Sequence, residues 1–503
     1  MLNFIKRYSI WIICLLSFFT ALFYAQLNLS QLPDEFKRRN TTVITNDDYS
    51  YLNPTETYIE TGIWKQEGNS IQSYFLRPPG YGIFYLVFLK LSNQPLFYLK
   101  IFQLLLFACS VYWFFSITYT LTKHKIISLI TSAIYGLTPF TISFLAYTLT
   151  EGITPTLLLL FIFLLLKAQR KSVPKQKTLF YFLAALSFSY LLIVRPPLGF
   201  IGILLPIFLI KDYWKTGLLK TLIKLILFGS IAFSFMTVWQ IRNYNLTNTF
   251  VGLHAIYYPD SNSLYRPTFK EFWNFIGGWA QEGSEAHSYM VPMWKAAIKG
   301  DTSEVYIKNA LATFPDKVIT HFGAERLSNV FRKYQAATLF QKNYYDQHMP
   351  MPLSIPAIEL TVIDDFKQLT EEYKETFWFE YHVVSPLKVF KIMSFHSNLS
   401  LYIFQRTYRG TWLMETLRFL FFGIHSLCFL GLILNLVFIR KNDWRLTAIE
   451  LTVLIYVFYL CYFQRGIEER YTLPILPLLM IGLANLLAVN VLPMLQQRNK
   501  IIQ

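Results

Sequence analysis

The sequence predicts an all-α polytopic membrane protein with about ten transmembrane helices. Of its 503 residues, 54% are hydrophobic and only 15% are charged, a balance typical of membrane proteins. Hydrophobic runs close to the roughly 20 residues that cross a bilayer recur along the chain. Basic residues fall in alternate loops between these runs, which is the pattern of cytoplasmic loops.

Nine hydrophobic runs give the ten spans. Eight are single spans, at residues 8–25, 97–121, 126–147, 152–166, 225–241, 419–438, 447–463 and 472–492. The ninth, 178–210, is too long for one span, and lysines flank both ends: Lys175, Lys177, Lys211 and Lys215. Because basic residues mark the cytoplasmic side, this run crosses twice and turns at Arg195-Pro196-Pro197.

Ten spans with both termini in the cytoplasm place the short basic loops on one face. These loops lie at residues 6–7, 123–125, 167–177, 211–224, 440–445 and 498–500. The first span is too long for a signal peptide and lacks a small-residue cleavage site, so it is predicted to be an anchor. The formal charge of +16 is thus explained by a plasma-membrane topology, and no nucleic acid partner is expected.

The same topology leaves two long loops on the outer face, 26–96 and 242–411. We expect a membrane module at 1–241, a mainly helical outer domain at 242–411 and a three-span region at 412–503. Amphipathic runs at 305–313 and 366–377 predict helices in the second loop, and the proline-rich 349–356 predicts a linker. No phosphate-binding loop or dinucleotide motif is present in the sequence, so chemistry is expected at the outer face.

Cysteine and histidine do not form a recognisable site. The four cysteines all fall inside predicted spans, and the eight histidines are scattered without ligand spacing. We therefore expect no disulfide framework, no metal site and no cofactor.

The first outer loop carries two adjacent carboxylates in TNDDYSYLNPTETYIETGIWKQ, residues 45–66. Asn53 as cap, Pro54 at the first position and Glu56 at the third predict a helix that starts after the pair. Its apolar residues suit a helix lying on the membrane surface. Taken alone, Asp47 and Asp48 are better explained as solvated loop residues than as catalytic groups.

Asp47, Asp48, Tyr51, Gly62 and Trp64, followed by Arg77-Pro78-Pro79, are more specific as a set. They resemble a pattern in lipid-dependent membrane glycosyltransferases of the type C fold. That group holds the protein O-mannosyltransferases and the lipid A aminoarabinose transferase. The resemblance implies the type C fold for this chain.

Four later features fit the same resemblance: Glu151 before the fourth span, the turn Arg195-Pro196-Pro197, the segment 239–244, and Glu469-Arg470-Tyr471 before the last span. Two residues depart from the family pattern. Pro54 interrupts a helix that is usually continuous after the acidic pair. Leu76 occupies the position where the aminoarabinose transferase has an acidic residue. The sugar specificity of that enzyme is therefore not expected to carry over to this chain, although the fold is.

The resemblance implies an inverting glycosyltransferase that moves a sugar from a polyprenyl-phosphate carrier to a lipid, glycan or protein acceptor at the outer face of the plasma membrane. Asp47 is then the general base and Asp48 its orienting partner or substitute, while Glu151 orients the acceptor or the base. Tyr51 contacts substrate, and four arginines stabilise the leaving phosphate: Arg77, Arg195, Arg242 and Arg470.

Each of these residues also has a structural explanation. Glu151 suits a helix start, the arginines can reach lipid headgroups, and Tyr51 can pack at the interface. In the second loop, Phe272, Trp273, Trp279 and Tyr289 suit sugar stacking, but packing in a core explains them better. Two other functions remain open: a transporter of lipid-linked sugars, and a non-catalytic membrane subunit with the same fold.

Overall fold

The computed structural model describes residues 2–45, 47–138, 141–142, 144–253, 257–395, 412–439, 442–491 and 493. Four basic residues used for the topology, Arg440, Lys441, Arg498 and Lys500, lie outside these ranges, as do residues 254–256 and 396–411 of the second outer loop. The described residues are mostly helical. One antiparallel hairpin joins β1 (Lys37–Arg38) to β2 (Thr42–Val43).

The helices of the first half are α1 (Leu2–Gln31), α2 (Asp48–Thr61), α3 (Gly80–Leu91), α4 (Pro95–Thr122), α5 (Lys125–Leu137), α6 (Thr154–Arg170), α7 (Pro174–Val194), α8 (Leu204–Tyr213), α9 (Leu218–Ala232) and α10 (Ser234–Thr247). Short 3₁₀ turns connect them at Asp34–Phe36, Ile71–Tyr74, Phe144–Ala146, Thr150–Gly152, Pro196–Ile203 and Trp214–Thr216.

The helices of the second outer loop are α11 (Pro267–Ile276), α12 (Gly283–Ala297), α13 (Glu304–Leu311), α14 (Asp316–Phe322), α15 (Ala324–Asp346), α16 (Ala357–Thr376) and α17 (Ser385–Phe395). The last spans are α18 (Trp412–Val437), α19 (Trp444–Phe458) and α20 (Leu476–Leu486). Short 3₁₀ turns lie at Gly277–Trp279 and Glu469–Thr472, and π-helical segments at Glu380–Val384, Tyr459–Gln464 and Leu487–Val491.

The predicted class, an all-α polytopic membrane protein, is confirmed. Among the described residues, six helices are long and apolar enough to cross a membrane, and a bent pair brings the number to seven. The remaining three predicted spans are shorter helices: α5, the 17-residue α6 and the apolar helix Leu476–Val489. The run 178–210 contains two candidate spans, as predicted, because Pro174–Val194 and Pro196–Thr216 are separate helical segments on either side of Arg195 and each is long and apolar enough to cross a membrane.

Two predicted spans are wrong in detail. The run 126–147 is not one helix, because α5 ends at Leu137 and 3₁₀ turns follow. The run 225–241 bends by 53° between α9 and α10. The side chain of Ser189 accepts a hydrogen bond from the Phe235 backbone N–H at 3.0 Å, so a neighbouring helix satisfies a donor that the bend frees.

The helix after the acidic pair also differs from the prediction. It begins at Asp48 and contains Pro54 in its interior, instead of starting at Pro54. Asn53 does not cap it; its Oδ1 accepts from the Glu67 backbone N–H at 2.7 Å. Gly62 ends the helix with φ +74°, a conformation in which glycine carries no strain. Asp47 is therefore placed at the helix N-terminus, where the helix dipole favours a carboxylate.

The buried core has two main parts. The larger lies in the membrane bundle, where α4 packs against α1, α5, α6 and α20, and α6 packs along α7. The second is drawn from residues 264–373 of the outer loop. Phe272, Trp279 and Tyr289 are buried in this second core, so the structure places them in packing. Val389 and Met393 of α17 belong to the membrane core.

Candidate active site

Asp47 lies between two arginines that come from opposite ends of the chain. Arg77 Nη2 donates to Asp47 Oδ1 at 3.1 Å, and Arg470 Nη1 donates to Asp47 Oδ2 at 3.3 Å. The Asp47 side chain is 37% exposed, and the two arginines are 19% and 25% exposed. All three groups thus reach solvent from one place, which is what a substrate-binding group requires.

Asp48 points elsewhere and is buried. Its Oδ2 accepts from Arg38 Nη2 at 2.9 Å and from Thr148 Oγ1 at 3.2 Å. Only 1% of its side chain is exposed. The chain after Asp47 enters α2 directly, and the next side chain turns toward the loop 144–152. The acidic pair is therefore split between an exposed carboxylate and a buried one.

Aromatic side chains pack against the guanidinium group of Arg77. Its guanidinium lies 5.1 Å from the centre of the Tyr51 ring, a distance typical of a cation–π contact. Tyr51 packs edge-on against Tyr81, whose hydroxyl donates to Gln103 Oε1 at 3.0 Å. Gln103 Nε2 in turn donates to the Leu145 and Tyr147 carbonyls, both at 3.3 Å. This chain of side-chain contacts connects α2, α3 and α4 to the loop that carries Glu151.

The two Arg-Pro-Pro turns dock on each other through Gly80. A β-carbon at Gly80 would lie 2.6 Å from the Ile193 carbonyl oxygen, so only glycine allows this approach. The Tyr190 hydroxyl donates to the Gly80 carbonyl. The backbone contact brings the turn after Arg77 against the end of α7, where Arg195 begins the second turn.

Glu151 and Arg195 form a buried ion pair beside the exposed group. Arg195 Nη1 lies 2.9 Å from Glu151 Oε1, and the side chains are only 12% and 5% exposed. Thr150 Oγ1 bridges them, because it accepts from Arg195 at 3.0 Å and donates to Glu151 Oε2 at 3.1 Å. Burial opposes ionisation of Glu151, but the charges of Arg195 and Arg470 outweigh it and lower the pKa of Glu151. Glu151 is therefore an anion in this site.

The segment that carries Arg470 is held by the outer domain. Arg465 is buried and donates to Ser385 Oγ at 2.7 Å, to the Tyr381 carbonyl at 3.0 Å and to the Gly277 carbonyl. Arg470 also forms an ion pair with Glu468. Arg470 is thus fixed between Glu468 and Asp47.

Glu282 of the outer domain reaches the same segment. Its side chain is fully buried. Burial, and next the charge of Glu468, raise the pKa of Glu282 to about 7, although a hydrogen bond from Ser284 opposes this. The segment 465–470 is therefore anchored through Arg465 to Gly277, Tyr381 and Ser385, and the Glu282 carboxyl group lies beside it at Gly466.

Arg242 is placed apart from the carboxylates. It donates to the Tyr74 carbonyl at 2.6 Å, to Asn243 Oδ1 at 2.8 Å and to the Trp64 carbonyl. Its guanidinium also lies 4.8 Å from the centre of the Trp239 ring. Arg242 therefore braces the backbone of the first outer loop.

Six of the eight predicted site residues fall in two groups: Asp47, Tyr51, Arg77 and Arg470 form one, and the Glu151–Arg195 pair forms the other. Asp48 and Arg242 have their partners outside both groups. Sequence reasoning missed Arg38, Thr148, Glu468 and Glu282. Arg38 gave the one available signal, since it lies in the basic run Lys37-Arg38-Arg39 on a loop assigned to the outer face, against the positive-inside trend.

An apolar groove of about 480 Å³ lies between α6, α7 and α10. Phe235 and Tyr190 line it together with leucines of the first two helices: Leu157, Leu160, Leu164, Leu183 and Leu186. Tyr190, which lines the groove, also donates its hydroxyl to the Gly80 carbonyl, so this part of the groove adjoins the first Arg-Pro-Pro turn. The groove has the size of a ligand site and an apolar lining.

Neither a family model nor a curated protein matches this chain. Solved structures do match. The crystal structure of ArnT from Cupriavidus metallidurans bound to undecaprenyl phosphate is similar over 95% of this chain and 77% of that chain, with 11% identity and a TM-score of 0.35. The crystal structure of ArnT from the same organism in the apo state is similar over 96% of this chain and 78% of that chain, with 12% identity and a TM-score of 0.35. ArnT is a lipid A aminoarabinose transferase, one of the groups that the sequence motifs resemble.

Proposed function

We propose that this chain is a glycosyltransferase that uses a polyprenyl-phosphate-linked sugar at the outer face of the plasma membrane. The observation that carries the proposal is the exposed Asp47 carboxylate held between Arg77 and Arg470. A carboxylate that accepts a proton and two guanidinium groups that bind a phosphate are what this reaction needs. Both termini are cytoplasmic in the proposed topology.

The apolar groove supports a lipid-linked donor. Its leucine lining suits a polyprenyl tail, and the part lined by Tyr190 adjoins Gly80, which is three residues from Arg77. A tail lying in the groove brings its phosphate to the first Arg-Pro-Pro turn. No nucleotide is required as leaving group, because the carrier phosphate takes that role.

In the proposed reaction, the acceptor hydroxyl oxygen attacks the anomeric carbon of the sugar. The bond from this carbon to the carrier phosphate oxygen breaks, and the phosphate leaves with the electron pair. Asp47 takes the proton of the acceptor hydroxyl, a role that contributes about 10²–10⁴-fold in rate. Arg77 and Arg470 stabilise the leaving phosphate, while the ion pair with Glu468 holds Arg470 in place.

Both oxygens of Asp47 accept hydrogen bonds from these arginines. A carrier phosphate must therefore compete with Asp47 for the same N–H donors. Once the phosphate holds the arginines, Asp47 is released to accept a proton. Carrier binding and activation of the base are thus one event.

This competition gives the test. Binding of undecaprenyl phosphate to the full-length protein in nanodiscs is measured by native mass spectrometry. Arg77→Ala and Arg470→Ala are expected to weaken it about tenfold or more, since charge-assisted hydrogen bonds contribute about 1.5–3 kcal/mol. Asp47→Asn is expected to bind the carrier more tightly than wild type, because its arginines are freed. The matched control is Arg326→Ala, which removes an exposed outer-domain arginine that also pairs with a carboxylate.

Transfer is measured on the same variants with radiolabelled undecaprenyl-phosphate sugars and a membrane lipid extract. Asp47→Asn is expected to bind carrier and to lose transfer. Arginine variants that bind like the Arg326→Ala control would contradict the proposed phosphate site. Transfer by Asp47→Asn at the wild-type rate would contradict the proposed base.

One observation favours a transporter instead, namely the 53° bend between α9 and α10. Broken helices form the substrate sites of many transporters. Here, however, the hydrogen bonds described at the bend are between Ser189, Ser234 and the backbone of Phe235, and they supply no charge for a phosphate. Movement of fluorescent undecaprenyl phosphate across liposomes by wild type and Asp47→Asn alike, with no transfer, would support the transporter.

A further inference from the structure

The outer domain presents a pair of polar rings, Tyr265 and His287, that the reaction above does not use. The Tyr265 hydroxyl lies 3.2 Å from His287 Nε2. Tyr265 is 37% exposed. Tyr257 and Phe269 stand beside it with ring centres 6.4 and 5.8 Å away, and Phe269 stacks on His287 at 5.9 Å. These four side chains form an aromatic wall with one exposed polar edge.

The loop that carries the wall rests on the loop that carries Arg77. The Tyr258 ring packs edge-on against Phe75 at 5.0 Å, two residues before Arg77. The Asp260 carboxylate accepts from the Gln72 backbone N–H at 3.4 Å and from that of Ile71. The first and second outer loops are therefore joined beside the candidate active site.

The charges of that site act on the wall. Burial raises the pKa of Tyr265, the Asp47 carboxylate raises it further, and Arg77 opposes this. The Tyr265 hydroxyl thus lies within electrostatic reach of both groups. Burial lowers the pKa of His287, so the imidazole is neutral at pH 7. The exposed edge of the wall is therefore a phenol and a neutral imidazole near the Asp47–Arg77 ion pair.

The backbone next to Tyr265 is fixed by a buried arginine. Arg266 is 2% exposed; its Nε donates to Glu359 Oε1 at 2.9 Å, and its Nη1 donates to the Pro259 and Ser261 carbonyls at 2.6 and 2.7 Å. Thr268 Oγ1 donates to the same carboxylate at 3.0 Å. Arg266 Nη2 also pairs with Glu359 Oε2, so the ion pair is bidentate and buried. Such a pair fixes the position of the backbone beside Tyr265. Such support is expected beneath a binding residue whose position matters.

We propose that Tyr265 and His287 form a subsite for a sugar ring beside Asp47, and this rests on the function proposed above. Sugar rings carry apolar C–H faces, which pack on aromatic rings, and hydroxyl groups, which bond to a phenol or an imidazole. The ring comes either from the donor or from a glycan acceptor. In both cases the outer domain selects the sugar and the membrane module performs the transfer.

The experiment compares wild type with Tyr265→Ala, Tyr265→Phe and His287→Ala, using full-length protein in nanodiscs. The matched control is Tyr345→Ala, since Tyr345 is a similarly exposed tyrosine of the same domain, packed edge-on against Trp294. The probes are bare undecaprenyl phosphate and a panel of undecaprenyl-phosphate hexoses and pentoses. Native mass spectrometry gives the affinity of each. The sugar preference is the affinity for the best panel member divided by that for the bare carrier.

For a donor sugar, Tyr265→Ala and His287→Ala are expected to lower the sugar preference about tenfold, equivalent to about 1.4 kcal/mol, without changing the affinity for bare carrier. For an acceptor sugar, the preference is unchanged and the KM of a glycan-containing acceptor extract rises about tenfold. Tyr265→Phe keeps the packed ring and loses only the hydroxyl, so it shows a smaller loss in the same direction even if Tyr265→Ala does not fold.

Preference and KM both within twofold of the Tyr345→Ala control in all three variants would overturn the subsite while leaving the proposed function intact. Failure of the proposed function is separable, because it appears in wild type as no binding of the bare carrier. That result would overturn the subsite as well.

Discussion

Asp47→Asn and Asp48→Asn are expected to separate transfer from stability, although the two residues are neighbours. Asp47 is an exposed ligand of two arginines, whereas Asp48 is buried against Arg38 and Thr148. The first substitution therefore removes the proposed proton acceptor, and the second removes a buried charge. Each variant should fail in only one of two measurements.

The structure sets the size of each effect. The contacts of Asp47 are long, 3.1 and 3.3 Å, and open to solvent, so their loss costs at most about 1 kcal/mol of stability. Loss of the proton acceptor lowers the transfer rate about 10²–10⁴-fold. Asp48→Asn leaves Arg38 without its carboxylate, but Arg38 is 26% exposed and can turn toward water. We therefore expect a loss of about 1–3 kcal/mol.

Transfer of radiolabel from the undecaprenyl-phosphate sugar gives the rate, and fluorescence-detected size exclusion after heating gives the stability. Asp34→Asn is the control, since Asp34 is a fully solvated aspartate of the same loop paired with Lys37. The reasoning is refuted if Asp48→Asn abolishes transfer at unchanged stability, which would exchange the two roles. It is also refuted if Asp47→Asn unfolds the protein.

Three further predictions concern the supporting residues. Glu151→Gln leaves the buried charge of Arg195 uncompensated and should lower stability by about 3 kcal/mol, with part of it restored by adding Arg195→Gln; a heat-denaturation midpoint equal to wild type would argue against the pair. The pKa of Glu282 is raised by burial from 4.5 to about 7, so the folded protein keeps a proton that the unfolded chain loses, and stability should fall as the pH rises from about 5 to 7. Glu282→Gln should flatten that slope in thermal unfolding from pH 5 to 8, and an unchanged slope would assign it to another group. Arg266→Lys cannot form the fork to Glu359 and should raise amide exchange of the segment 257–266 without changing carrier affinity; unaltered exchange would show that the fork is dispensable.

The sequence predicted the membrane helices well where composition alone decides them. The lysines at both ends of the run 178–210 predicted two spans, and the structure has them. Composition does not reveal where a helix breaks, because breaks depend on partners. At the bend after α9, the backbone N–H of Phe235 donates to the side chain of Ser189, a residue about 45 positions away. The start of α2 was missed because Pro54 was read as a first-turn residue, whereas the packing of α2 on α3 holds it within a helix.

The candidate site was predictable as a set of residue types but not as a geometry. The motifs named Asp47, Arg77 and Arg470, yet nothing in the sequence shows that Asp47 and Arg470, which are 423 positions apart, form a hydrogen bond. Nor does the pair Asp47-Asp48 show which member faces the arginines, since that depends on the first residue of α2. Tyr265 and Glu282 carried no signal at all, because single polar residues in a helical domain are common.

The balance of charge explains why a phosphate would bind at one place in this site. Asp47, Glu151 and Glu468 oppose Arg77, Arg195 and Arg470, so the group is neutral as it stands. An incoming phosphate must therefore replace a carboxylate as the hydrogen-bond acceptor of an arginine. The Glu151–Arg195 pair is buried and bridged by Thr150, and separating it would leave a charge without solvent. The ion pairs of Asp47 are longer and more exposed, so a phosphate is expected to break these pairs and not the Glu151–Arg195 pair. Under the proposed function, we therefore expect the phosphate to displace the Asp47 carboxylate from its arginines, so that the proposed base becomes free only when a carrier is bound.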